Sequence, residues 1–556
     1  NGTLPYMRLK GMVVGNGEMS EIDQINSAID LMYFRGLIGK DDFDSLYECC
    51  RDLGGSDTFV YCQFTNMITL DDFGNAVERH YDNPDYQVCS NKTRDFGYYQ
   101  VWATLNQDVY NTYQDCYANG PQSSSIAQRI LGNSKMARRF ASLAAQYPNA
   151  EAPFVDQGGS ANDDSTDSVG SFPCYMNDAM PAYLNLPEVR AALHIPDFVQ
   201  PWAGCNDVIN EQLYIQQHHD MGDVFDEIVN SGYPLRMLFY NGDADMACNF
   251  MGDQWFIERL ATRHHMDIAS PRSIWNYTRA GGYLARYGGF VKKFQLGDRL
   301  TIDLLTVKGA GHFVPLDRPA PALHMFVNYL NQQSYNNIIG VDLTPRSLFQ
   351  EFQPRFDATP TRKESDEIVD LPGVTFQFNF RQYAGYLTGV PGNNLHYWFV
   401  ESQTNPSNDP LVLWLTGGPG CSSLGAFLTE NGPFHPNRDG KTLYENVFSW
   451  NKVANVLYLE SPRGVGFSFQ DKNVNPDEEY DDDRTAMDTY LALRDFLTVF
   501  PEYANRPFFI TGESYGGIYI PSLASLLVDK ITSGELKNLN FKGFAVGNGQ
   551  LSGLLQ

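Results

Sequence analysis

The chain has 556 residues, of which 43% are hydrophobic and 13% aromatic, so it can bury a large core and wholesale disorder is excluded. Its formal net charge of −26, without a patch of lysine and arginine, disfavours a nucleic-acid partner. The sequence contains no stretch of about 20 apolar residues, so no membrane span is predicted.

The first element along the chain is a short segment that occurs twice. Residues 10–17 return, with six of eight positions identical, as residues 542–549, at an offset of 532 residues. This offset is about the size of a whole domain and far longer than a solenoid repeat. It is compatible with a window cut from a tandem array of domains, or with a circular permutation of a single domain.

Short apolar runs alternate with helical patterns through much of the chain. Strands are predicted at 236–240, 300–307, 411–415, 453–459 and 508–510, and helices at 483–499 and 517–530. Two polar stretches interrupt them: 156–171, interpreted as a surface loop or processing site, and a boundary at about 332–366. The alternation predicts an α/β fold with a mainly parallel sheet.

Ser514 is the strongest candidate for a catalytic residue. It lies in Gly512-Glu513-Ser514-Tyr515-Gly516, between the last predicted strand and the helical pattern that follows it. A sharp strand-to-helix turn with small flanking residues lifts a serine hydroxyl above the sheet, and the helix N-terminus behind it supports negative charge. The pattern predicts the nucleophile of a serine hydrolase.

A serine hydroxyl is a weak nucleophile without a base, so a histidine and an orienting carboxylate are expected. His312 follows the strand at 300–307 and lies in a glycine-rich turn. Two carboxylates follow the strand at 236–240, Asp243 and Asp245, and Asp243 would serve equally well as a turn former.

Five segments resemble the signature segments of serine carboxypeptidases: Trp414 to Ser423, Glu460 to Ser468, Gly512 to Gly517, Gly242 to Phe250 and Gly309 to Pro315. The resemblance implies an α/β-hydrolase fold with a mainly parallel central sheet and an inserted helical cap. It also implies an acid-acting enzyme, secreted or lysosomal, that releases C-terminal residues from peptides through an acyl-enzyme. Neither a cofactor nor a metal is implied.

The order of these segments departs from the family, in which the nucleophile precedes the acid and the base. Residues 1–335 resemble the C-terminal part of a family domain, 336–365 a linker, and 366–556 the N-terminal part of a domain. We expect the two parts to form one composite hydrolase with a duplicated strand. Two partial domains of a longer tandem protein are the alternative, and the order leaves open whether Ser514 meets His312 and Asp245 of the same chain.

Carried over motif by motif, the resemblance implies that Ser514 is the nucleophile, His312 the base and Asp245, in preference to Asp243, the acid. The oxyanion hole would be the backbone N–H groups of Gly418 and Tyr515. The substrate carboxylate would be bound by Trp414, Thr416, Glu430 and Glu513.

Glu430 and Glu513 would share a proton, because two adjacent buried acids cannot both ionise cheaply. This predicts tighter peptide binding at acid pH, roughly 4 to 6. Thr416 stands where the family has asparagine, and weakening one hydrogen bond to a charged group costs about 1.5–3 kcal/mol. The residue therefore indicates adjusted carboxylate recognition, or another acyl acceptor, as in the carboxypeptidase-like acyltransferases.

Nine cysteines predict four disulfides and one free thiol. The resemblance pairs Cys205 with Cys421 and Cys116 with Cys174, and it places Cys49, Cys50, Cys62 and Cys89 in two further disulfides around the cap. Cys248 would be the free thiol near the substrate pocket. Together with glycosylation sequons at Asn91 and Asn276, the cysteines favour the secretory route.

Three functions remain open from the sequence. The first is the carboxypeptidase, and the second is an acyltransferase or esterase on the same scaffold. The third is a non-catalytic module of a tandem secreted protein. A homodimer or a neighbouring tandem domain is the expected macromolecular partner, beside the peptide substrate.

Overall fold

The computed structural model describes residues 8–15, 19–52, 62–70, 76–94, 110–113, 176–206, 208–215, 217, 220–278, 285–343, 361–437, 439–504, 506–533 and 545–547. The helices are α1 Glu21–Phe34, α2 Lys40–Asp52, α3 Pro84–Arg94, α4 Met176–Leu184, α5 Pro187–Ala192, α6 Gly222–Asn230, α7 Phe250–Arg263, α8 Val314–Asp317, α9 Pro319–Leu330, α10 Arg362–Asp366, α11 Ser423–Thr429, α12 Asp482–Val499 and α13 Gly516–Thr532. The strands are β1 Arg8–Gly15, β2 Ile68–Leu70, β3 Ala76–Glu78, β4 Tyr214–Ile215, β5 Leu235–Gly242, β6 Asp267–Thr278, β7 Ala285–Leu296, β8 Leu300–Val307, β9 Gln382–Thr388, β10 Asn393–Val400, β11 Leu411–Leu415, β12 Phe434–Pro436, β13 Leu443–Glu445, β14 Asn455–Leu459, β15 Phe469–Gln470, β16 Tyr480–Asp481, β17 Pro507–Gly512 and β18 Ala545–Gly547.

Twelve of these strands form one mixed sheet in the order β15-β10-β14-β11-β17-β1-β18-β5-β8-β7-β6, with β9 paired to β10. The centre, from β14 to β8, is parallel. The strands at both ends pair in the antiparallel direction. At one end β10 pairs with β9, β14 and β15, and at the other end β7 pairs with β6 and β8. The α/β class predicted from the alternation of elements is confirmed, and the antiparallel ends make the sheet mixed.

The central strands are apolar throughout because helices cover both faces of the sheet. In β11, Leu411, Leu413 and Leu415 belong to the core shared with α12 and α13. The intervening Val412 and Trp414 belong to the core shared with α9 and α11. This alternation is the period of two expected of a strand, and it gives a three-layer arrangement of helices, sheet and helices.

Strands from both sides of the expected linker lie in this one sheet. β1 and β5 to β8 precede it in the chain, whereas β9, β10, β11, β14, β15 and β17 follow it, and β17 is a neighbour of β1. Part of the expected linker is itself helical. Thr361 caps α10 and forms a reciprocal capping box with Glu364, a pattern of threonine and glutamate three residues apart that is readable in the sequence.

A smaller unit lies outside the sheet, in residues 19–94. It comprises α1, α2, α3 and the β2–β3 hairpin, and it has its own buried core that includes Ile29, Leu46 and Phe64. Disulfides join Cys49 to Cys89 and Cys50 to Cys62 within it. Within the described part of the chain, no helix is both long and apolar enough to cross a bilayer.

Candidate active site

The strand order brings three predicted catalytic residues to one edge of the sheet. β17, β1, β5 and β8 are consecutive parallel neighbours apart from the short β18. Ser514 follows β17, Asp245 follows β5 and His312 follows β8. Since parallel strands end on the same side, all three residues lie at the carboxyl edge, where open α/β sheets bind their ligands.

Ser514 occupies the turn between β17 and α13 in a strained conformation. Its φ of +54° is in the left-handed region, which a residue with a side chain rarely adopts. The helix begins at once, with the N–H of Gly517 donating to the Ser514 carbonyl at 2.9 Å. At Gly512 a Cβ atom would lie 1.9 Å from the Leu415 carbonyl oxygen, so only glycine fits beside β11. The local geometry is that of a nucleophile turn.

His312 and Asp245 form a buried hydrogen-bonded pair. His312 Nδ1 lies 2.8 Å from Asp245 Oδ2, and the two side chains are 2% and 0% exposed. Asp245 Oδ1 also accepts hydrogen bonds from the N–H groups of Ala247 at 2.8 Å and Cys248 at 3.3 Å. Burial raises the pKa of Asp245, while His312 and these two donors oppose the rise. An ionised carboxylate only accepts hydrogen bonds, so a proton on Nδ1 would be donated to Asp245.

Asp243 has a different position from Asp245. Its Oδ1 accepts a hydrogen bond from the N–H of Gly309 at 2.6 Å, so it ties the loop after β5 to the loop after β8. The structure therefore brings Asp245, and not Asp243, to the histidine. Both carboxylates were candidates from the sequence, because the choice depends on how the loops after β5 and β8, more than sixty residues apart in the chain, contact each other.

Residues 110–113 cross over the histidine loop. The N–H of His312 donates to the Tyr110 carbonyl at 2.6 Å, and the Tyr110 ring lies 4.8 Å from the imidazole, between centroids. Asn111 Nδ2 donates to Asp317 at 2.9 Å, and Asp317 also accepts from the N–H of Gly311 at 2.6 Å. These contacts were missed by the sequence analysis, which had no local signal for pairs some 200 residues apart.

The loop after β11 lies against the first turn of α13. A Cβ atom on Gly417 would lie 2.1 Å from the backbone nitrogen of Tyr515, and Gly418 has a φ of +117°. Only glycine allows this approach and this conformation. The loop therefore places Gly417 against Tyr515, and Gly418, the other residue expected in the oxyanion hole, is the next residue of the loop.

A segment from much earlier in the chain holds this loop, and we call residues 205–215 the clamp segment. Cys205 forms a disulfide with Cys421. The N–H of Asn206 donates to the Gly420 carbonyl at 3.0 Å, and Asn210 Nδ2 donates to the Pro419 carbonyl at 2.6 Å. Asn210 lies in a short π-helix formed by residues 209–213. The clamp segment thus fixes three consecutive residues of the loop.

The clamp segment is also connected to Tyr515, the residue after Ser514. Tyr214 and Tyr515 both donate their hydroxyl hydrogen to Asp482 Oδ1, at 2.9 and 2.8 Å. Asp482 is 1% exposed and opens α12. The Tyr519 hydroxyl accepts the N–H of Gly420 at 3.1 Å. These bonds connect the start of α13 to the loop after β11, and no feature of the sequence analysis pointed to them.

Glu430 and Glu513 form a buried carboxyl pair. Each is 2% exposed, and the two groups are hydrogen-bonded to each other. Burial raises the pKa of both groups, and the charge of Glu513 raises the pKa of Glu430 further, well above its usual range. Glu513 directly precedes Ser514, and its pKa is lowered by the charge of His312 and raised by the charge of Asp245. This arrangement favours a shared proton.

Trp414 and Thr416 lie beside each other at the end of β11. Trp414 Nε1 donates to Thr416 Oγ1 at 2.9 Å, and the N–H of Thr416 donates to Ser423 Oγ at 3.1 Å. A threonine hydroxyl has one hydrogen to donate and two lone pairs to accept. Since the indole uses an acceptor site, the hydroxyl hydrogen of Thr416 can be donated to another group.

Cys248 is buried beside the His–Asp pair and is not disulfide-bonded in the described part of the chain. One possible ligand atom each from Asp245, Cys248 and His312 all lie within 4.8 Å of one another. Cys116 and Cys174 lie outside the described residues, so their pairing stays a prediction. Asn91 lies in α3 and Asn276 in β6, where they contact Gln87 and Asn336.

The description of the matching family model is Serine carboxypeptidase, and the match covers residues 1–332 and 372–556. The lysosomal protective protein of Mus musculus is 50% identical over 37% of this chain and 41% of its own length. Serine carboxypeptidase ctsa-4.1 of Caenorhabditis elegans is 52% identical over 34% of this chain and 38% of its own length. A crystal structure of a prohormone-processing carboxypeptidase from Saccharomyces cerevisiae is 29% identical over 30% of this chain and 38% of that chain, with a TM-score of 0.27, too low for a fold argument.

The chain spans about two fifths of the length of the curated relatives it matches. The family match covers the segments on both sides of the expected linker, including the residues that follow β5, β8, β11 and β17. The order of parallel strands at the centre of the sheet is compatible with the α/β-hydrolase fold that the family implies. This chain belongs to the serine carboxypeptidase family.

Proposed function

We propose that the chain is an acid-acting serine carboxypeptidase that releases C-terminal residues from peptides through an acyl-enzyme. The observation that carries this proposal is a buried, hydrogen-bonded carboxyl pair, Glu430 and Glu513, next to a buried His312–Asp245 pair. The second pair is suited to activating Ser514. The first is suited to binding a substrate carboxylate.

Acylation begins when Ser514 Oγ attacks the carbonyl carbon of the last peptide bond and its proton passes to His312 Nε2. The carbonyl oxygen becomes an oxyanion, which the N–H groups of Gly418 and Tyr515 stabilise. The C–N bond then breaks, and His312 gives its proton to the leaving amine. Asp245 remains ionised and stabilises the charged imidazole. The C-terminal amino acid leaves, and an ester on Ser514 remains.

Deacylation repeats these steps with water as the nucleophile. His312 takes a proton from the water, whose oxygen attacks the ester carbonyl, and the same two N–H groups stabilise the second oxyanion. The ester C–O bond breaks, and Ser514 recovers the proton from His312. The shortened peptide leaves with a new C-terminal carboxylate.

The carboxyl pair gives the reaction its preference for peptide ends and for acid pH. A protonated pair donates a hydrogen bond to the substrate carboxylate, whereas an ionised pair repels it. The Thr416 hydroxyl, which accepts from Trp414, supplies a further donor. Since burial raises the pKa of both glutamates, the binding-competent form extends to higher pH than for exposed glutamates and is lost as pH rises through the raised pKa.

The unit formed by α1 to α3 and its two disulfides is the proposed helical cap over the site. Residues 110–113, which contact the histidine loop, come between this unit and α4 and belong to the same insertion. The disulfides fit folding in the secretory pathway, and the mouse relative is named a lysosomal protein. We assign the chain to secretion or the lysosome on these grounds, with Asn91 and Asn276 as glycan acceptors.

A second candidate is an acyltransferase or esterase on the same machinery. Thr416 favours this second candidate, since the family has an asparagine, with an amide donor, at this position. A hydroxyl reaches less far than an amide, so a carboxylate would be held less firmly. Comparing release of the last residue from blocked dipeptides with hydrolysis of blocked esters at pH 5 separates the two candidates.

Active-site labelling tests the proposal directly. A fluorophosphonate probe should label the folded chain, and Ser514→Ala should abolish labelling. Ser461→Ala is a control, because Ser461 is a buried serine that contacts Thr489 and takes no part in the proposed reaction. Labelling that persists in Ser514→Ala, or a folded wild-type chain that is not labelled, would contradict an active site formed within this chain.

A further inference from the structure

One buried acid near the nucleophile has no part in the proposed reaction. Asp482 opens α12 and is 1% exposed. Its Oδ1 accepts the hydroxyl hydrogens of Tyr214 at 2.9 Å and Tyr515 at 2.8 Å, and its Oδ2 accepts the N–H of Gln217 at 2.8 Å. An ionised carboxylate only accepts hydrogen bonds, so these three donors and the N-terminus of α12 are suited to its charge.

Three aromatic rings pack beside this carboxylate, and we call Tyr214, Tyr515 and Tyr519 the tyrosine cluster. The ring centroid of Tyr515 lies 5.4 Å from that of Tyr214 and 5.1 Å from that of Tyr519, and both pairs meet edge to face. The Tyr519 hydroxyl accepts the N–H of Gly420 at 3.1 Å. The tyrosine cluster therefore connects the loop after β11 with the first turn of α13, the two sides of the proposed oxyanion hole.

Tyr515 has two roles in this arrangement. Its backbone N–H is one of the two donors proposed for the oxyanion, and its side chain is anchored at the far end by Asp482. It follows Ser514, whose φ of +54° is a strained conformation that persists only where the surrounding structure enforces it. A tyrosine side chain rotates about only two bonds, so fixing its ring and its hydroxyl also restricts the backbone that carries it.

We propose that Asp482 is a positioning residue for the oxyanion hole. By holding the Tyr515 hydroxyl, it orients the N–H of Tyr515 toward the oxygen that becomes charged when Ser514 attacks. This inference rests on the proposed function, because it requires that Ser514 forms the acyl-enzyme. Preorganised donors act mainly on the transition state, so a loss of orientation lowers kcat and leaves KM nearly unchanged.

Removing the anchor at either end should slow hydrolysis of a blocked ester at pH 5. Tyr515→Phe, which deletes only the hydroxyl, should lower kcat about three- to tenfold. Asp482→Ala should lower kcat about 10- to 100-fold, since both tyrosines lose their acceptor. Asp482→Asn keeps an acceptor oxygen and should recover most of kcat. In the Asp482→Ala background, Tyr515→Phe should cost little more, because the same contact is already lost.

Tyr335→Phe is the matched control. The Tyr335 hydroxyl also donates to a buried aspartate, Asp303, at 2.6 Å, and both residues are 2% exposed. Asp303 lies within β8 and Tyr335 follows α9, and neither takes part in the proposed reaction. Both phenylalanine variants should lower Tm, but Tyr335→Phe should keep kcat within about twofold of the wild-type value.

Fluorophosphonate labelling gives a second readout that does not require turnover. The labelling rate of Ser514 should fall in the same order among the variants as kcat, since the same N–H groups stabilise the phosphonyl oxygen. Tyr515→Phe decides the question even where Asp482→Ala does not fold.

Two outcomes separate this inference from the proposed function. If kcat of Tyr515→Phe equals that of Tyr335→Phe, or if KM rises with kcat unchanged, the positioning role is wrong while the proposed function stands. A folded wild-type chain that is neither labelled nor active on the ester would overturn the proposed function, and this inference with it.

Discussion

The two buried acid sites of this molecule, Asp245 and the Glu430–Glu513 pair, differ in the groups that surround them. Asp245 and the Glu430–Glu513 pair are all at most 2% exposed, and burial raises the pKa of each. Asp245 has an imidazole and two backbone N–H groups as compensating donors. Glu430 has another carboxyl group as its partner, and its Oε2 has no hydrogen-bond partner among the described residues. Burial raises the pKa of all three acids, and the neighbouring donors oppose this rise at Asp245, whereas the neighbouring acid adds to it at Glu430.

Replacing the ionised acid should have the largest effect. In Asp245→Asn the amide no longer stabilises a charged His312, so kcat for ester hydrolysis should fall by about 10⁴-fold. Asp243→Asn is the matched control, because Asp243 bonds to Gly309 instead of the histidine, and its kcat should change by less than about tenfold. Equal losses in the two variants would mean that the distinction between these carboxylates is wrong.

Replacing the protonated pair should alter binding instead of the chemical step. Glu513→Gln and Glu430→Gln should raise KM for peptides at pH 5 by about 10- to 100-fold. The sign follows from the raised pKa: wild-type peptide binding is full at low pH and is lost as pH rises through the pair's pKa, whereas the glutamine variants lose this dependence.

The control for the pair is a substrate without a free carboxylate. Blocked esters should be hydrolysed by wild type and glutamine variants with KM values within about threefold of each other, since no carboxylate is recognised. Steady-state kinetics between pH 4 and 8 checks both substrates. A pH dependence of peptide KM that survives both substitutions would assign the preference to another group.

A smaller effect is expected at the clamp segment, which holds the loop of the proposed oxyanion hole. The donors of that hole are backbone N–H groups and do not ionise. Asn210→Ala removes the bond to the Pro419 carbonyl, so kcat should fall about three- to tenfold with KM nearly unchanged. Val208→Ala, an exposed position of the same segment, should leave both constants unaltered. Rescue of kcat by Asn210→Gln would support positioning, whereas an equal rise in KM would indicate that the segment contacts substrate.

A third buried acid, away from the site, gives the smallest effect and concerns stability. Burial raises the pKa of Asp23 to about 7, although Arg259 opposes the rise. Its contribution to folding is fully present below about pH 4 and is lost as pH rises through about 7. Urea unfolding at pH 4.5 and 7.5 should show that Asp23→Asn loses less stability across this interval, by about 1–3 kcal/mol. An unchanged pH dependence would show that Asp23 is ionised throughout.

Local patterns predicted the nucleophile region well. The strand, turn and helix around Ser514 follow from residue size and periodicity within some twenty positions, and they lie within one or two residues of the expected bounds. Asp245 was separated from Asp243 by resemblance alone, since both follow the same strand. The hydrogen bonds of Asn210 and Asp482 could not be predicted, because they join residues more than 200 positions apart. They depend on which loops the sheet order brings together.

The disulfide between Cys205 and Cys421 has a consequence for covalent integrity. Its sulfurs belong to residues on opposite sides of residues 344–360, separated by 216 positions. A single proteolytic cut between residues 343 and 361 would leave a two-chain protein held by this cross-link and by the shared sheet. Such a protein would run as one band on a non-reducing gel and as two bands after reduction, with the proposed base and nucleophile on different polypeptides.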